Sequence, residues 1–254
     1  MSTIGVIDWG IGGLDVVRKM RAAGVMQPVV YVSDAGSVPY GKQADHALAS
    51  RVSSLVRALA DAGCSQVLVG CNAASTILDH ADFHAPGIPV HGVIRPGIEA
   101  TLAARVPSVT VLGGRRTVES GLYGAALRPA GVAVREVVAQ PLSALVERGV
   151  LRGPELDAAV AEIVAPVRDT TALVSACTHY LAVEDALRAA LPDLQTIIDP
   201  AQALVDRHLA PSAPGPVPDR YWTTGDPDAS RRAAHAAFGV DAPFGAAGDQ
   251  FISR

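Results

Sequence analysis

The stretch VLVGCNAAS, from Val67 to Ser75, decides how the chain can fold. Its first four residues are apolar or small and lie between turn formers, so they predict a short buried strand. A thiol and an amide, Cys71 and Asn72, follow directly. Ligands bind beyond the carboxyl ends of strands in parallel sheets, and the stretch therefore predicts a site at one strand end.

A second stretch, ALVSACTHY from Ala172 to Tyr180, repeats this order around Cys177 and Thr178. Strand-like runs at Ile4 and Val109 are separated by nearly the same interval as the two cysteines, about 105 residues, which is too long for a solenoid repeat and suits a domain. The sequence thus predicts a site built from two related halves.

Strands alternate with helices through both halves of the chain. The predicted strands are residues 4–8, 29–32, 67–70, 90–94, 109–114, 132–138, 196–198 and 221–224, together with a strand in the ALVSACTHY stretch that carries Cys177. The predicted helices are residues 14–23, 44–62, 73–79, 118–127, 156–167, 184–191 and 228–238. This alternation predicts an α/β protein with two pseudosymmetric lobes, each a mainly parallel sheet flanked by helices, and an active site in the cleft between them.

We expect the first lobe, which carries Cys71, to comprise residues 1–97 and 208–254. The second lobe, which carries Cys177, would then comprise residues 98–207. A proline-rich linker over residues 211–219 precedes the returning segment of the first lobe.

Composition excludes several classes of protein. The 254 residues are 49% hydrophobic, carry a net charge of −4 and contain no basic run, which argues against binding to nucleic acid or to a membrane surface. Three cysteines without CxxC spacing predict neither a disulfide framework nor a cysteine zinc site. No secretory leader or long apolar segment is evident, so a soluble cytoplasmic protein is expected.

Two further motifs are weak. Gly10, Gly12 and Gly13 follow a strand, but the third glycine of a dinucleotide fingerprint would fall at Asp15, where a carboxylate would repel pyrophosphate. His80, Asp82 and His84 lack the further ligand and spacing of a metal site, so no metal is expected. Cys64 is most simply a small buried hydrophobic residue.

Cys71 and Cys177 suit a pair of groups that act on opposite faces of one small ligand, although two buried core thiols are the alternative. On a continued strand, His179 would point to the same side as Cys177, and Asp8 ends the strand beside Cys71. Each thiol therefore has a proton partner. The competing interpretations are that Asp8 caps the next helix and that His179 is a buried, hydrogen-bonded imidazole.

Several motifs in order resemble one family. These are IGVIDWGIGGLDV, VPYGKQ, GCNAAS, GVIRPG, ACTHY and YWTTGDP, and they extend over nearly the whole chain. In them the chain resembles the cofactor-independent glutamate racemases of the aspartate/glutamate racemase superfamily. The resemblance implies the two-lobed fold, D-glutamate production for peptidoglycan, no pyridoxal phosphate or metal, and a homodimer as a possible assembly.

The resemblance also implies roles for residues. Cys71 would act on the D-enantiomer with Asp8 as its proton partner, and Cys177 on the L-enantiomer with His179. The implied substrate-binding positions are Trp9, Tyr40, Gly41, Asn72, Ala73, Thr117, Glu147 and Thr178.

Four positions depart from the family pattern, where Trp9 replaces a serine, Ala73 and Gly114 each replace a threonine, and Arg95 replaces a glutamate. Glutamate is the first substrate expected, and another amino acid or derivative the second. The alternatives are isomerisation or decarboxylation of a small diacid by the same thiols, and a non-catalytic relative that binds a ligand or a partner protein.

Overall fold

Two parallel sheets organise the computed structural model, which describes residues 2–215, 217–248 and 251. The remaining parts of the predicted linker and of the predicted C-terminal segment lie outside the described residues. The first sheet contains β1 (Thr3–Asp8), β2 (Val29–Ser33), β3 (Cys64–Val69), β4 (Val90–Gly92), β9 (Arg220–Thr223) and β10 (Gly245–Ala246). The second contains β5 (Ser108–Gly113), β6 (Ala133–Val138), β7 (Ala172–Ala176) and β8 (Thr196–Ile198).

The strand order reveals the duplication. The first sheet runs β10-β9-β2-β1-β3-β4 and the second β6-β5-β7-β8, with every strand pair parallel. The second sheet therefore repeats the order of β2-β1-β3-β4. The predicted fold class, two lobes that each contain a parallel sheet flanked by helices, is confirmed.

Helices cover both sheets. They are α1 (Leu14–Ala22), α2 (Asp45–Asp61), α3 (Asn72–Ser75), α4 (Ile94–Ala103), α5 (Arg115–Glu119), α6 (Leu122–Leu127), α7 (Gln140–Glu147), α8 (Pro154–Val164), α9 (Glu184–Ala190), α10 (Pro200–His208) and α11 (Pro227–Phe238). In α2, Leu48, Val52 and Leu55 recur at helical spacing and are fully buried against the first sheet.

One hydrophobic cluster joins the lobes. It combines Ile4 and Leu14 of the first lobe with Leu142, Leu173 and Leu187 of the second, all fully buried. Two further clusters each belong to one lobe. This shared cluster makes the facing sides of the lobes one packed interior. Because apolar burial stabilises by about 25 cal/mol per Å², the cluster also stabilises the contact between the lobes.

The chain crosses between the sheets twice, through α4 and back through α10, and these two helices pack against each other. Gly97 permits this approach, because a Cβ there would lie 2.9 Å from the Cβ of Pro200. The predicted lobe boundaries fall within α4 and near the end of α10, and they stay a prediction.

Several predicted boundaries were wrong. The strand expected over residues 90–94 ends at Gly92, and the RPG motif forms the first turn of α4, where a proline needs no donor N–H. Gly121, with φ of +66°, separates α5 from α6, which were expected as one helix. Helices α4, α7 and α10 were missed, the helix expected over residues 73–79 is the four-residue α3, and β10 follows the strand expected to be last.

No helix within the described residues is both long and apolar enough to span a lipid bilayer.

Candidate active site

The site lies where three strands end. Asp8 is the last residue of β1, Cys71 follows β3, and Cys177 follows β7. Thr178 joins the two lobes there, because its hydroxyl donates to the Oδ2 atom of Asp8 at 2.8 Å. The carboxyl edges of the two sheets therefore meet, and the two cysteine motifs lie at the same junction.

Cys177 belongs to a chain of three side chains. Its Sγ atom lies 3.7 Å from Nδ1 of His179, and Nε2 of His179 lies 2.6 Å from Oε1 of Glu147. The expected strand geometry at His179 was wrong, since β7 ends at Ala176 and His179 has helical backbone angles. The turn after the strand, rather than strand alternation, brings the imidazole to the sulfur.

This arrangement holds a proton on His179. Burial alone would lower the pKa of His179, but hydrogen bonds to Cys177 and Glu147 raise it well above 6.5. Burial opposes ionisation of Glu147 as well, yet the hydrogen bond from His179 and its charge lower the pKa of that carboxyl below 4.5. A protonated imidazole is the partner that lets a cysteine act as a base, and His179 lies beside the Cys177 sulfur.

Cys71 has a different environment. Burial raises its pKa well above 9.0, and the negative charge of Asp8 and that of a Cys177 thiolate raise it further. Burial also raises the pKa of Asp8 above 3.8, against the lowering effects of His179 and Thr178. Cys71 is therefore equipped to donate a proton.

The glycine turn before α1 holds the second lobe. The N–H of Ile11 donates to Oε1 of Glu147 at 2.9 Å, and a Cβ at Gly10 would lie 1.8 Å from that oxygen. A Cβ at Gly12 would lie 2.3 Å from the hydroxyl oxygen of Thr178. The turn thus accommodates a carboxylate of this chain at the place where a nucleotide-binding turn holds a phosphate.

Asp8 has no role as a helix cap. Its Oδ1 atom accepts a hydrogen bond from the N–H of Trp9 at 2.6 Å, while the residue that caps α1 is Gly13. Its second oxygen accepts from Thr178. Asp8 is therefore bonded on both oxygens next to Cys71.

Two polar groups at the junction are available to a ligand. Asn72 is nearly buried and accepts a hydrogen bond from the Tyr123 hydroxyl at 3.0 Å, while its amide nitrogen has no acceptor among the described residues. Thr117, buried at the start of α5, donates its hydroxyl to none of the residues that the structure describes. Tyr123 was missed, because nothing in the sequence around it distinguishes it from a core tyrosine.

The Tyr40 side chain contacts the first lobe. Its hydroxyl donates to Oδ2 of Asp34 at 2.9 Å within the first-lobe core, so only its backbone and that of Gly41, in a short 3₁₀ turn, are open to a ligand. Asp34 also pairs with Arg51. Although Asp34 lies at a strand end as expected, it supports this loop.

Trp9 and Ala73 pack on the first lobe. The indole N–H of Trp9 donates to the Ser37 carbonyl at 3.2 Å, and both side chains rest against the hydrophobic cluster that also contains Tyr40. Trp9 is therefore anchored on the loop before Tyr40. Arg95, by contrast, is exposed on α4 and pairs with Glu99.

The weak motifs are placed elsewhere. Asp15 is buried and forms ion pairs with Lys19 and Arg18. His80 lies near Asp82 on the surface, and no group of three potential ligands arranged for a metal occurs in the part of the chain that the structure describes. Cys64 is buried in the first lobe, as expected.

Sequence similarity extends over most of the chain. The Asp/Glu/Hydantoin racemase family matches residues 4–207. The chain belongs to this racemase family. A glutamate racemase of Ralstonia pickettii is 33% identical over 212 residues, which cover 81% of this chain and 74% of the relative. A glutamate racemase of Oceanobacillus iheyensis is 30% identical and covers 88% of this chain and 87% of the relative.

Solved structures of racemases share the architecture. A glutamate racemase isoform of Bacillus anthracis superposes with a TM-score of 0.87 at 26% identity over 98% of both chains. The Francisella tularensis glutamate racemase in complex with D-glutamate has a TM-score of 0.85 at 22% identity and covers 100% of this chain and 99% of its own, a likeness of fold. This member of the racemase family is a glutamate racemase-like enzyme that acts on amino acids, and the expected enzyme class is confirmed.

Proposed function

We propose that this racemase interconverts L-glutamate and D-glutamate by moving the α-proton between Cys177 and Cys71. The observation that carries the proposal is the pairing of each thiol with its own proton partner, His179 or Asp8, at one junction of strand ends. A two-base device needs one base and one acid on opposite faces of the same carbon atom, and the two environments supply them.

The reaction from L-glutamate begins at Cys177. The thiolate, stabilised by the His179 imidazolium, takes the α-proton, and the electron pair stays on the substrate carbon. The Cys71 thiol then donates its proton to the opposite face, which yields D-glutamate and leaves Cys71 as a thiolate next to Asp8. The reverse reaction exchanges the two roles, so proton and charge balance in both directions.

Binding of glutamate requires donors for two carboxylates. We assign this role to the Asn72 amide, the Thr117 hydroxyl and the backbone around Gly41, and we assign Thr178 to holding Asp8 in place. Trp9 and Ala73 form the apolar wall on the Cys71 side. Because the indole is anchored on the Ser37 carbonyl, we propose that the wall leaves room for a glutamate side chain.

The wider assignments are proposals as well. The product would be D-glutamate for peptidoglycan, made in the cytoplasm, where reducing conditions keep both thiols free. Light scattering on the purified protein tests the expected homodimer.

The decisive experiment follows α-proton exchange. Purified protein is incubated under reducing conditions in D₂O with L-glutamate or D-glutamate and no added cofactor, and products are separated by chiral chromatography. We expect both enantiomers to form with deuterium at the α-carbon. Cys71→Ser and Cys177→Ser should each lose racemisation by about 10²–10⁴-fold, the usual contribution of a general acid or base.

The matched control is Cys64→Ser, which removes the thiol outside the site. It should retain activity within about twofold, as substitutions outside functional sites usually do. Full activity in Cys71→Ser or Cys177→Ser would contradict the two-thiol mechanism. Deuterium incorporation into another amino acid but not glutamate would move the substrate to that compound, and incorporation into none would end the proposal.

A further inference from the structure

Arg116 bridges the lobes immediately before Thr117. Its guanidinium belongs to the second lobe, yet all its hydrogen bonds go to the first lobe. Nε donates to the Thr76 hydroxyl at 2.9 Å, Nη1 to the Gln43 carbonyl at 2.8 Å and Nη2 to Oδ1 of Asp45 at 2.5 Å. One side chain therefore spans the lobes with three bonds.

These acceptors lie on the segments that carry the ligand-binding candidates. Thr76 follows α3, which begins directly after Cys71, and Gln43 follows the 3₁₀ turn that contains Gly41. Arg116 itself fixes the start of α5. The guanidinium consequently holds three separate parts of the proposed binding site at fixed distances from one another.

Arg115 provides the contrast within the same helix. Its side chain is 63% exposed and pairs only with Glu119, one turn along α5, whereas the Arg116 side chain is 11% exposed. An exposed pair of this kind contributes little to stability. A fork that bonds three acceptors across an interface restrains the two bodies that it joins.

A cavity of about 680 Å³ opens beside this bridge. It is lined from both lobes, and its charged groups are two cations, Lys42 and Arg116, and two carboxylates, Asp45 and Glu119. The ammonium group of Lys42 has no carboxylate partner in the described ranges. Asp45 and Glu119 balance the charges of Lys42 and Arg116, so the lining as a whole carries no net charge, and the cavity provides space beside the turn that carries Gly41.

We propose that Arg116 is a positioning residue that latches the two lobes closed over the proposed binding site. The inference rests on the proposed function, because the latch acts on the same site. The substrate and the latch stabilise the same closed state. Without the latch, part of the substrate's binding energy goes into closing the lobes, and the apparent affinity falls.

Steady-state kinetics test the latch through the split between KM and kcat. Arg116→Ala should raise KM for both enantiomers about tenfold with kcat unchanged or higher, because the closed state becomes less populated while the thiols stay intact. Arg116→Lys should fall between, since an ammonium group keeps the charge but not the fork. Arg115→Ala is the matched control, with KM within about twofold of the wild type.

A purely structural role predicts another result, a lower melting temperature and a smaller active fraction with an unchanged KM. That result, or an equal rise of KM in Arg115→Ala, overturns the latch. Should Arg116→Ala fail to fold, Asp45→Ala removes one bond from the exposed end of the bridge and should raise KM about threefold.

Hydrogen-deuterium exchange separates the latch from the proposed function. In ligand-free Arg116→Ala, amides of residues 43–48 and 73–77 should exchange about tenfold faster than in Arg115→Ala, because the lobes open more often. If the wild type racemises no amino acid, the proposed function fails and this measurement alone decides the latch. Equal exchange in the two variants would then overturn it.

Discussion

The two halves of the active site share a backbone plan and differ in their protons. Both thiols follow the corresponding strand of equally ordered sheets, β3 in one lobe and β7 in the other. Cys71 lies beside a buried carboxyl, that of Asp8, whereas Cys177 lies beside an imidazole held by a carboxylate. Duplication has preserved the positions of the two sulfurs and changed their charge environments.

The difference gives each half a resting role. Burial and the negative charge of Asp8 raise the pKa of Cys71, which keeps a proton on that thiol. In the other half, His179 lies between Cys177 and Glu147 and has a raised pKa, so a cation lies beside that sulfur. If both halves had the same partner, both thiols would rest in the same state and one of them would have to change before each turnover. Under the proposed mechanism, this asymmetry suits a proton that is taken on one face and returned on the other.

The largest effect on turnover should come from substitution of Asp8, the proposed proton partner of Cys71. Asp8→Asn keeps an oxygen that accepts from Thr178 but removes the group that exchanges a proton with Cys71, and kcat should fall about 10²–10³-fold. Because the two enantiomers have equal free energy, kcat/KM must fall equally from both sides. Initial rates by circular dichroism from L- and D-glutamate measure this. A loss below about threefold would show that Cys71 works without Asp8.

The second largest effect on activity should come from removing the negative charge of Glu147, which lies beside His179. Glu147→Gln keeps acceptors for Ile11 and His179 but removes the negative charge, so the pKa of His179 falls towards 6.5 and kcat/KM should drop about tenfold. The alkaline limb of the pH profile reports loss of the imidazolium. In the variant this limb should move to lower pH, and an unmoved limb would contradict the role of Glu147.

The stability of this variant has a pH dependence of definite sign. The pKa of Glu147 lies below 4.5 in the folded chain, so its contribution is lost as the pH falls through that pKa. The raised pKa of His179 gives a contribution that is fully present below 6.5 and lost as the pH rises through the folded value. Urea unfolding should show the largest difference from wild type, about 1–3 kcal/mol, between these limits.

The smallest effect on stability and KM should come from substitution of Trp9, which lies only on the Cys71 side of the proposed site. Trp9→Phe keeps an aromatic ring against the first-lobe cluster and loses the hydrogen bond to the Ser37 carbonyl. Unfolding experiments should show a loss of about 0.5–1.5 kcal/mol, the usual net value of one such bond. KM should change less than about threefold. A larger rise would mean that the indole contacts the substrate directly.

Sequence reasoning reached the parts of the site that local pattern encodes. Each of Asp8, Cys71 and Cys177 follows a buried apolar run, and the repeat of one motif predicted that the two thiols belong together. The contact of Glu147 with Ile11 joins residues far apart in the chain, so it depends on how α7 packs against the glycine turn. No local pattern specifies that distance.

Local sequence pattern also does not distinguish the contacts of two side chains of the same residue type. Arg115 and Arg116 are adjacent and chemically identical, yet one is exposed on its own helix and the other spans the lobes. Tyr40 likewise matched a binding motif, while its hydroxyl is bonded to Asp34 in the core. In each case the direction of a side chain is set by the packing of distant elements, which only the three-dimensional structure supplies.

The adjacent crossings through α4 and α10 have a mechanical consequence. The two connections lie side by side and touch where Gly97 meets Pro200. We expect them to act as a hinge, which permits rotation about one axis and resists twisting or sliding. Every ligand contact that spans the lobes then loosens together when the lobes part. We therefore expect product to leave in one opening movement, whichever enantiomer is bound.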